Sequence, residues 1–157
     1  MPNEITIEQI DLENDDHVAE AIDLVARFAE ELGAPLDCPT KDALPSLFSR
    51  RKTNIILARR DEKAVGVIVC QRTIVTFRGA EALNIHDLFV DESARRCGVG
   101  KRLMEYAVAL ARSLGCVRVT LEVDTENQKA RQFYRTQGFE LPEDGAQELH
   151  YIRLPLD

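Results

Sequence analysis

Polar and hydrophobic residues alternate near the start of the chain, and this alternation predicts a short strand over residues 5–10. The apolar spacing then changes to three and four residues, which indicates a helix that Asp15 or Asp16 caps and Gly33 ends. The apolar stripe of this helix consists of Ile22, Val25, Phe28, Ala29 and Leu32. The first part of the chain therefore predicts a strand followed by an amphipathic helix.

A second helix and three strands are predicted next. Residues 41–51 form a shorter helical pattern with Leu44, Leu47 and Phe48 on one side. Residues 54–59 and 64–76 have the pattern of a hairpin that turns at 60–63, and a strand over 82–90 follows the Arg78-Gly79 turn. Together with the first strand, these segments predict an antiparallel block.

Helices and strands alternate in the second half of the chain. A turn containing Gly98 and Gly100 opens a helix that ends at Gly115, and a buried strand over 117–123 follows. A helix over 127–137 ends at Gly138, and a last strand covers 148–154. Because repeats and linkers are absent, we expect a single domain over residues 1–157. Its predicted fold is α/β (α+β), with a central mixed, mostly antiparallel sheet flanked by about four helices.

The turn before the third helix has the composition of an anion site. The first N–H groups of a helix have no partner inside the helix, and the helix dipole adds a partial positive charge there. Gly98 and Gly100 let a ligand approach this backbone closely, since neither residue carries a side chain. The order strand, glycine turn, helix therefore predicts a site for a phosphate group.

Two common phosphate motifs do not fit this turn. A nucleotide-triphosphate P-loop needs glycine where Arg95 stands and Ser or Thr where Arg102 stands. A dinucleotide fingerprint would place a third glycine at Leu103, in the first strand-helix unit of a parallel sheet. What remains is the pattern Arg-x-x-Gly-x-Gly after a strand.

This pattern, Arg95-x-x-Gly98-x-Gly100, resembles the acyl-CoA pyrophosphate loop of the GNAT superfamily of N-acetyltransferases. A second segment, Asn127-x-x-Ala130-x-x-Phe-Tyr134-x-x-x-Gly-Phe, resembles the other signature of that superfamily. The resemblance covers residues 82–140 in detail, and the N-terminal half matches in the order of its elements. It implies a GNAT-like domain that uses acetyl-CoA as a co-substrate and needs no metal.

The resemblance also implies which residues contact acetyl-CoA. Tyr134 matches the tyrosine that gives a proton to the leaving CoA thiolate, and the Val90 N–H would bind the thioester carbonyl oxygen. Asn127 would cap its helix and bind the pantetheine or pyrophosphate region. The whole predicted cofactor set is Leu88, Phe89, Val90, Arg95, Arg96, Cys97, Gly98, Val99, Gly100, Lys101, Asn127, Ala130 and Tyr134.

A general base is needed because the attacking amine must be neutral. His86 and Asp87, on the strand before the loop, are the candidates. Relatives resembling diamine N-acetyltransferases have a glutamate where His86 stands, which weakens a specific polyamine assignment. Strand alternation points the two side chains to opposite faces, and His86 is the first candidate. Asp87 would otherwise bind the substrate cation, His150 is a weaker candidate, and His17 is expected at the surface.

Composition limits the other classes of function. The net charge of −7 disfavours nucleic-acid binding and favours a cationic substrate. The four cysteines lack metal-ligand spacing, and we expect Cys97 to be a packed small residue rather than a nucleophile. The N-terminus lacks an export signal, which predicts a cytoplasmic protein, and no apolar run is long enough to cross a membrane.

The predicted reaction is attack of a primary amine, of a small molecule or a peptide, on acetyl-CoA in a ternary complex. O-acyl transfer, transfer of a longer acyl chain, and a non-catalytic acyl-CoA-binding regulatory module use the same loop and stay open. The acceptor is not revealed by any motif, although the first two helices and residues 72–81 and 144–150 would face it in this fold. A homodimer is expected only from its frequency in the family.

Overall fold

The structure is a computed structural model that describes residues 4–141 and 149–156. The strands are β1 (Ile5–Gln9), β2 (Asn54–Arg60), β3 (Lys63–Val75), β4 (Ala80–Val90), β5 (Arg118–Asp124) and β6 (Leu149–Pro155). The helices are α1 (Asp15–Glu31), α2 (Cys38–Arg51), α3 (Val99–Ser113) and α4 (Gln128–Thr136), with short 3-10 turns at Thr76–Arg78 and Glu92–Ala94. The predicted order of elements is confirmed; residue 148 of the predicted last strand lies outside the described residues.

The six strands form one mixed sheet in the order β1-β2-β3-β4-β5-β6. β1 pairs with β2, β2 with β3, and β5 with β6, all antiparallel. The parallel pair is β4 with β5, in which Leu83 lies opposite Val119 and Ile85 opposite Leu121. The predicted mixed, mostly antiparallel sheet with four helices is therefore confirmed.

Contacts between residues divide the chain into two compact units. The first contains the described residues of Met1–Gln71 and Asp87–Ala107, and the second those of Arg72–His86 and Val108–Asp157. The prediction of a single domain over residues 1–157 stays a prediction.

The core of the first unit lies where α1 and α2 pack with strand residues. Its buried members are Ile10, Val18, Ala21, Ile22, Leu24, Phe48, Ile55, Leu57, Val67, Val69 and Phe89. Val25 and Phe28 of the predicted α1 stripe are partly buried against this core, but Leu32 is 68% exposed. The prediction for Leu32 was wrong because this residue is the C-cap of α1, where the chain turns away at Gly33 with φ +77°.

Both N-terminal helices begin at caps that the sequence analysis missed. The Asn14 side chain accepts a hydrogen bond from the His17 N–H at 3.1 Å, so Asn14 caps α1 rather than Asp15 or Asp16. Asp37 accepts from the Thr40 N–H at 2.8 Å, and α2 consequently starts at Cys38 rather than at residue 41. The signal was present, since an aspartate followed by a first-turn proline is a common helix start.

Gly66 brings the start of α3 unusually close to β3. A Cβ at this position would lie 2.9 Å from Leu103 Cδ1 and 3.2 Å from Val99 Cγ1. Any side chain at Gly66 would therefore force the Leu103 and Val99 side chains of α3 to shift. An isolated glycine inside a strand is the sequence signal for such a close approach.

The second unit is built around β5. Its buried apolar residues include Leu83, Ile85, Ala111, Val119, Leu121, Val123, Phe139 and Ile152. Thr120 is 1% exposed, and its hydroxyl accepts a hydrogen bond from the Asn84 side chain at 2.9 Å. This bond satisfies two polar groups that burial would otherwise penalise.

Candidate functional site

The glycine loop, residues 91–98, connects β4 to α3 and presents the start of that helix. Arg96 and Gly98 both have positive φ, +65° and +76°, so the chain turns sharply there. The Arg102 N–H donates to the Gly98 carbonyl at 3.1 Å. The amides of Val99, Gly100 and Lys101 therefore lie ahead of the four-residue hydrogen-bond pattern of the helix. They form a set of donors at the positive end of the α3 dipole.

Arg95 anchors this loop to other parts of the first unit. Its Nε donates to the Val90 carbonyl at 2.8 Å, and its Nη2 lies 2.6 and 2.8 Å from the two Glu31 carboxylate oxygens. The guanidinium carbon lies 5.5 Å from the centroid of the Phe89 ring. The side chain of Arg95 therefore makes a hydrogen bond to Val90, an ion pair with Glu31 and a ring contact with Phe89.

Asp91 fixes the beginning of the loop. Its backbone N–H donates to the Val65 carbonyl at 2.8 Å, and its side chain accepts from the Ser93 hydroxyl and, at 3.1 Å, from Arg27. The Ser93 hydroxyl and then Arg27 hold the pKa of the Asp91 carboxyl below its usual value, although burial opposes them. Arg60 donates to the Ser93 carbonyl at 3.1 Å. The start of the loop is thus held by a polar network before any ligand binds.

The basic side chains around the loop differ in whether they already have an ion pair or a hydrogen bond. Lys101 lies 3.9 Å from Glu105, and Arg102 donates to the Ile5 carbonyl at 2.7 Å. Among the residues that the structure describes, Arg96 has neither an ion pair nor a side-chain hydrogen bond. Arg96 is exposed and is thus the cation of the loop that is available to an anion.

Cys97 is exposed, so the expectation of a packed small residue was wrong. Its thiol lies 3.5 Å from the Arg95 carbonyl oxygen. The physical reason is the pair of positive φ values on either side, at Arg96 and Gly98, which turn this segment at the surface.

The candidate residues of β4 show the alternation that the sequence predicts. Ile85 is buried and His86 is exposed, so His86 lies on the face opposite Ile85. Asp87 is partly buried. Phe89 is 5% exposed and stacks on Phe28 with ring centroids 5.6 Å apart, which fixes the end of the strand. His86 belongs to the second unit and Asp87 to the first.

Asn127 caps α4 in the second unit, as predicted. Its side-chain oxygen accepts from the Ala130 N–H at 3.1 Å, and its carbonyl accepts from the Arg131 N–H at 3.0 Å. The side chain of Arg131 is completely buried, whereas Asn127 is exposed at the helix start. The cap uses the side-chain oxygen of Asn127, so its amide nitrogen can still donate a hydrogen bond.

Tyr134 lies in an aromatic cluster on α4. Its ring makes edge contacts with Phe133 and Phe139, with centroids 5.4 and 5.6 Å apart. Burial raises the pKa of the Tyr134 phenol to about 12, because the charged phenolate is disfavoured away from water. The phenol therefore carries its proton at neutral pH, as a proton donor must.

Sequence reasoning missed the residues that hold the glycine loop. Glu31 contacts Arg95, and Asp91 contacts Arg27. The members of each pair are 64 positions apart in the chain, so no local pattern predicts the contact. Gly66 had a local signal, which was its place inside an apolar strand. The side chain of His150 and residues 144–148 lie outside the described residues.

The described residues contain neither a metal-ligand cluster nor a membrane-spanning helix. Across residues 4–141 and 149–156, no three or more His, Cys, Asp or Glu side chains converge as metal ligands would. Each helix in that part of the chain is too short or too polar to cross a bilayer.

Comparison with known proteins agrees with this geometry. The Acetyltransferase (GNAT) family profile matches residues 18–139. An uncharacterized N-acetyltransferase of Archaeoglobus fulgidus is 35% identical over 100 residues, which are 63% of this chain and 68% of that protein. A peptidyl-lysine N-acetyltransferase of Escherichia coli is 29% identical over 103 residues, 65% of this chain and 67% of that protein.

The fold comparison extends over nearly the whole chain. A chain from the crystal structure of the NatC complex bound to Gag peptide and CoA superposes with a TM-score of 0.76 at 21% identity, covering 98% of this chain and 99% of that one. Fold, sequence motifs and family profile agree, and the chain therefore belongs to the GNAT family of N-acetyltransferases.

Proposed function

We propose that this protein transfers the acetyl group of acetyl-CoA to a primary amine by direct attack within a ternary complex. The family uses acetyl-CoA. The observation that carries the proposal is the set of backbone donors at Val99, Gly100 and Lys101, which lie ahead of the helical hydrogen-bond pattern of α3.

In this proposal the CoA pyrophosphate binds at the glycine loop. The amides of α3 donate to its oxygens, and Arg96 supplies the unengaged positive charge. The sequence analysis expected Arg95 to contact the cofactor, and we propose a positioning role for it instead. Because its guanidinium is held by Glu31 and Val90, it positions the loop for the phosphates.

Two proton transfers accompany acetyl transfer: the amine loses a proton and the CoA thiolate gains one. The amine nitrogen forms a bond to the thioester carbon and loses a proton to His86, directly or through water, with Asp87 as the alternative acceptor. The carbon–sulfur bond then breaks, and the departing thiolate takes the proton of Tyr134. A phenol whose pKa is raised by burial supports this assignment, since it is fully protonated when the thiolate forms. The Val90 N–H is the proposed donor to the carbonyl oxygen.

The acceptor that we propose is a lysine-like amine, free or in a peptide. The net charge of −7 attracts cations, and the relative from Escherichia coli is named for peptidyl-lysine acetylation. An amine with a pKa near 10.4 is only about one part in two thousand neutral at pH 7, so a base contributes to turnover.

A thiol-release assay tests the proposal. Acetyl-CoA is incubated with lysine peptides, diamines, aminoglycosides and matched hydroxyl compounds, and free CoA thiol is measured against time. We expect release that depends on an amine and a mass gain of one acetyl group on that amine. Tyr134→Phe provides the control, because it keeps the ring and removes the proton donor.

The alternatives give different results in the same assay. Release with hydroxyl compounds alone would indicate O-acyl transfer, and faster release from longer acyl-CoA would indicate a longer-chain transferase. Calorimetric binding of acetyl-CoA without release by any acceptor would indicate a regulatory binding module and would refute the proposed activity.

A further inference from the structure

A second cluster of positive charge lies in the second unit. The cavity there has a volume of about 220 Å³ and is lined by Arg78, Val117, Arg118, Arg153 and Pro155. Three of these five residues are arginines, although the protein as a whole has a net charge of −7. We call this feature the arginine cavity.

Among the described residues, one of the three arginines that line the arginine cavity has an acidic partner. Arg153 pairs with Glu140 at 3.3 Å, and Arg72 pairs with Glu81 at 3.6 Å. Within the described part of the chain, Arg78 and Arg118 have no ion pair and no side-chain hydrogen bond. Two guanidinium groups are therefore available, and their mutual repulsion favours an anion between them.

The backbone around the arginine cavity is fixed by hydrogen bonds. The Val117 N–H donates to the Glu81 carbonyl at 2.8 Å, and the Leu156 N–H donates to the Val117 carbonyl at 2.9 Å. Arg118 lies opposite Pro155 in the pairing of β5 with β6. Arg118, Arg153 and Pro155 therefore stand on paired strands, which hold a binding site more accurately than loops do, whereas Arg78 lies in the 3-10 turn Thr76–Arg78.

A second cavity, lined by both polar and apolar residues, shares a wall with the arginine cavity. It has a volume of about 280 Å³, and its lining includes Ile74, Val75, Phe77, Thr120 and Arg118. Arg118 lines both cavities. Ile74 is 78% exposed and Phe77 fully exposed, so these two side chains of the second cavity offer hydrophobic area that the fold itself does not bury.

We propose that these two cavities form one site for a small amphipathic anion, a carboxylate or phosphate joined to an apolar body. The planar guanidinium fork of Arg118 matches either oxyanion in a two-point contact. The apolar body lies against Ile74 and Phe77. The cavity volumes suit a small molecule rather than a macromolecule. None of its lining residues belongs to the proposed acetyl-CoA loop, and its binding does not depend on that loop.

Titration of the isotope-labelled protein by NMR tests the site with four probes of equal chain length: octanoate, octyl phosphate, octylammonium and octanol. We expect octanoate or octyl phosphate to shift the amide signals of Arg78 and Arg118, and the two probes to distinguish a carboxylate site from a phosphate site. Octylammonium and octanol should leave these signals in place. Equal binding by octylammonium would refute recognition of the anion.

Matched variants separate the two parts of the site. Arg118→Gln should weaken binding by about tenfold, the effect of one lost charge-assisted contact, whereas Arg112→Gln on the exposed face of α3 should not. Phe77→Ser should remove the gain in affinity from butanoate to octanoate. Thermal unfolding checks that each variant is folded. Unchanged affinity of folded Arg118→Gln, or an affinity independent of chain length in the native protein, would overturn the proposal.

Discussion

The glycine loop and the surroundings of Tyr134 are held in place by opposite kinds of interaction. The loop depends on charged groups at the surface, chiefly Arg95 with Glu31 and Asp91 with Arg27. Tyr134 depends on aromatic contacts with Phe133 and Phe139. One region is anchored by polar pairs and the other by exclusion of water.

This difference matches what each region is proposed to do. A phosphate site needs donors that stay hydrated and oriented until a charged ligand arrives, and surface ion pairs can hold a loop at small cost. A proton donor needs a pKa well above neutrality, and burial supplies it. The polar region should therefore respond to pH and salt, whereas the aromatic region should respond to changes in packing and in a single hydroxyl.

Tyr134→Phe tests the aromatic region and should have the largest effect. We expect kcat to fall by about 10²-fold or more while acetyl-CoA affinity stays nearly unchanged, because the packed ring is kept and only the donor is lost. Steady-state kinetics with calorimetry measures both quantities. Wild-type turnover in this variant would make Tyr134 structural.

The raised pKa of Tyr134 adds a test of pH dependence. The folded pKa of about 12 exceeds the ordinary value of 10.0, so this group's stabilising contribution is complete below pH 10 and is lost as pH rises toward 12. Tyr134→Phe should remove that alkaline loss in urea unfolding curves.

His86→Ala tests the proposed base on the exposed face of β4. We expect kcat/KM to lose its acidic limb, with a fall of about 10²-fold at neutral pH and unchanged acetyl-CoA binding. Substrates with different amine pKa values must be compared, and His17→Ala is the matched control. A limb that moves with the substrate and persists in His86→Ala would exclude the histidine and favour Asp87 or solvent.

Gly100→Val tests the polar region at the start of α3. The valine side chain would occupy the space of the phosphate, so acetyl-CoA affinity should fall by more than about tenfold. Ala109→Val, on the exposed face of the same helix, controls for the lower helix propensity of valine. Unchanged calorimetric affinity in Gly100→Val would remove the proposed site from the loop.

Asp91→Asn should give the smallest effect and the clearest pH signature. Because the pKa of Asp91 is lowered in the folded state, its contribution is present above the ordinary pKa of 3.8 and is lost as pH falls through the folded value. We expect the variant to lose about 1 kcal/mol at pH 7 and less at pH 3. Asp23→Asn, which removes the more exposed partner of Arg27, is the control; an equal loss in both variants at both pH values would contradict this interpretation.

The sequence predicted secondary structure and helix ends correctly where a local pattern is compatible with a single structure. The strands, the four helices, the α4 cap at Asn127 and the helix stop at Gly33 follow from periodicity and from capping chemistry that acts over a few residues. The caps at Asn14 and Asp37 were missed although they are of the same kind, because neighbouring residues offered equally plausible starts.

Tertiary structure decided what depends on distant partners. The sequence by itself determined the family, through two motifs whose residues lie close together along the chain, and it located the start of α3, where we propose that the CoA pyrophosphate binds. Only the fold set the engagement of Arg95 by Glu31, the exposure of Cys97, the raised pKa of Tyr134 and the shared cavity wall at Arg118. Burial and long-range pairing set these properties, and neither is encoded by neighbours in the sequence.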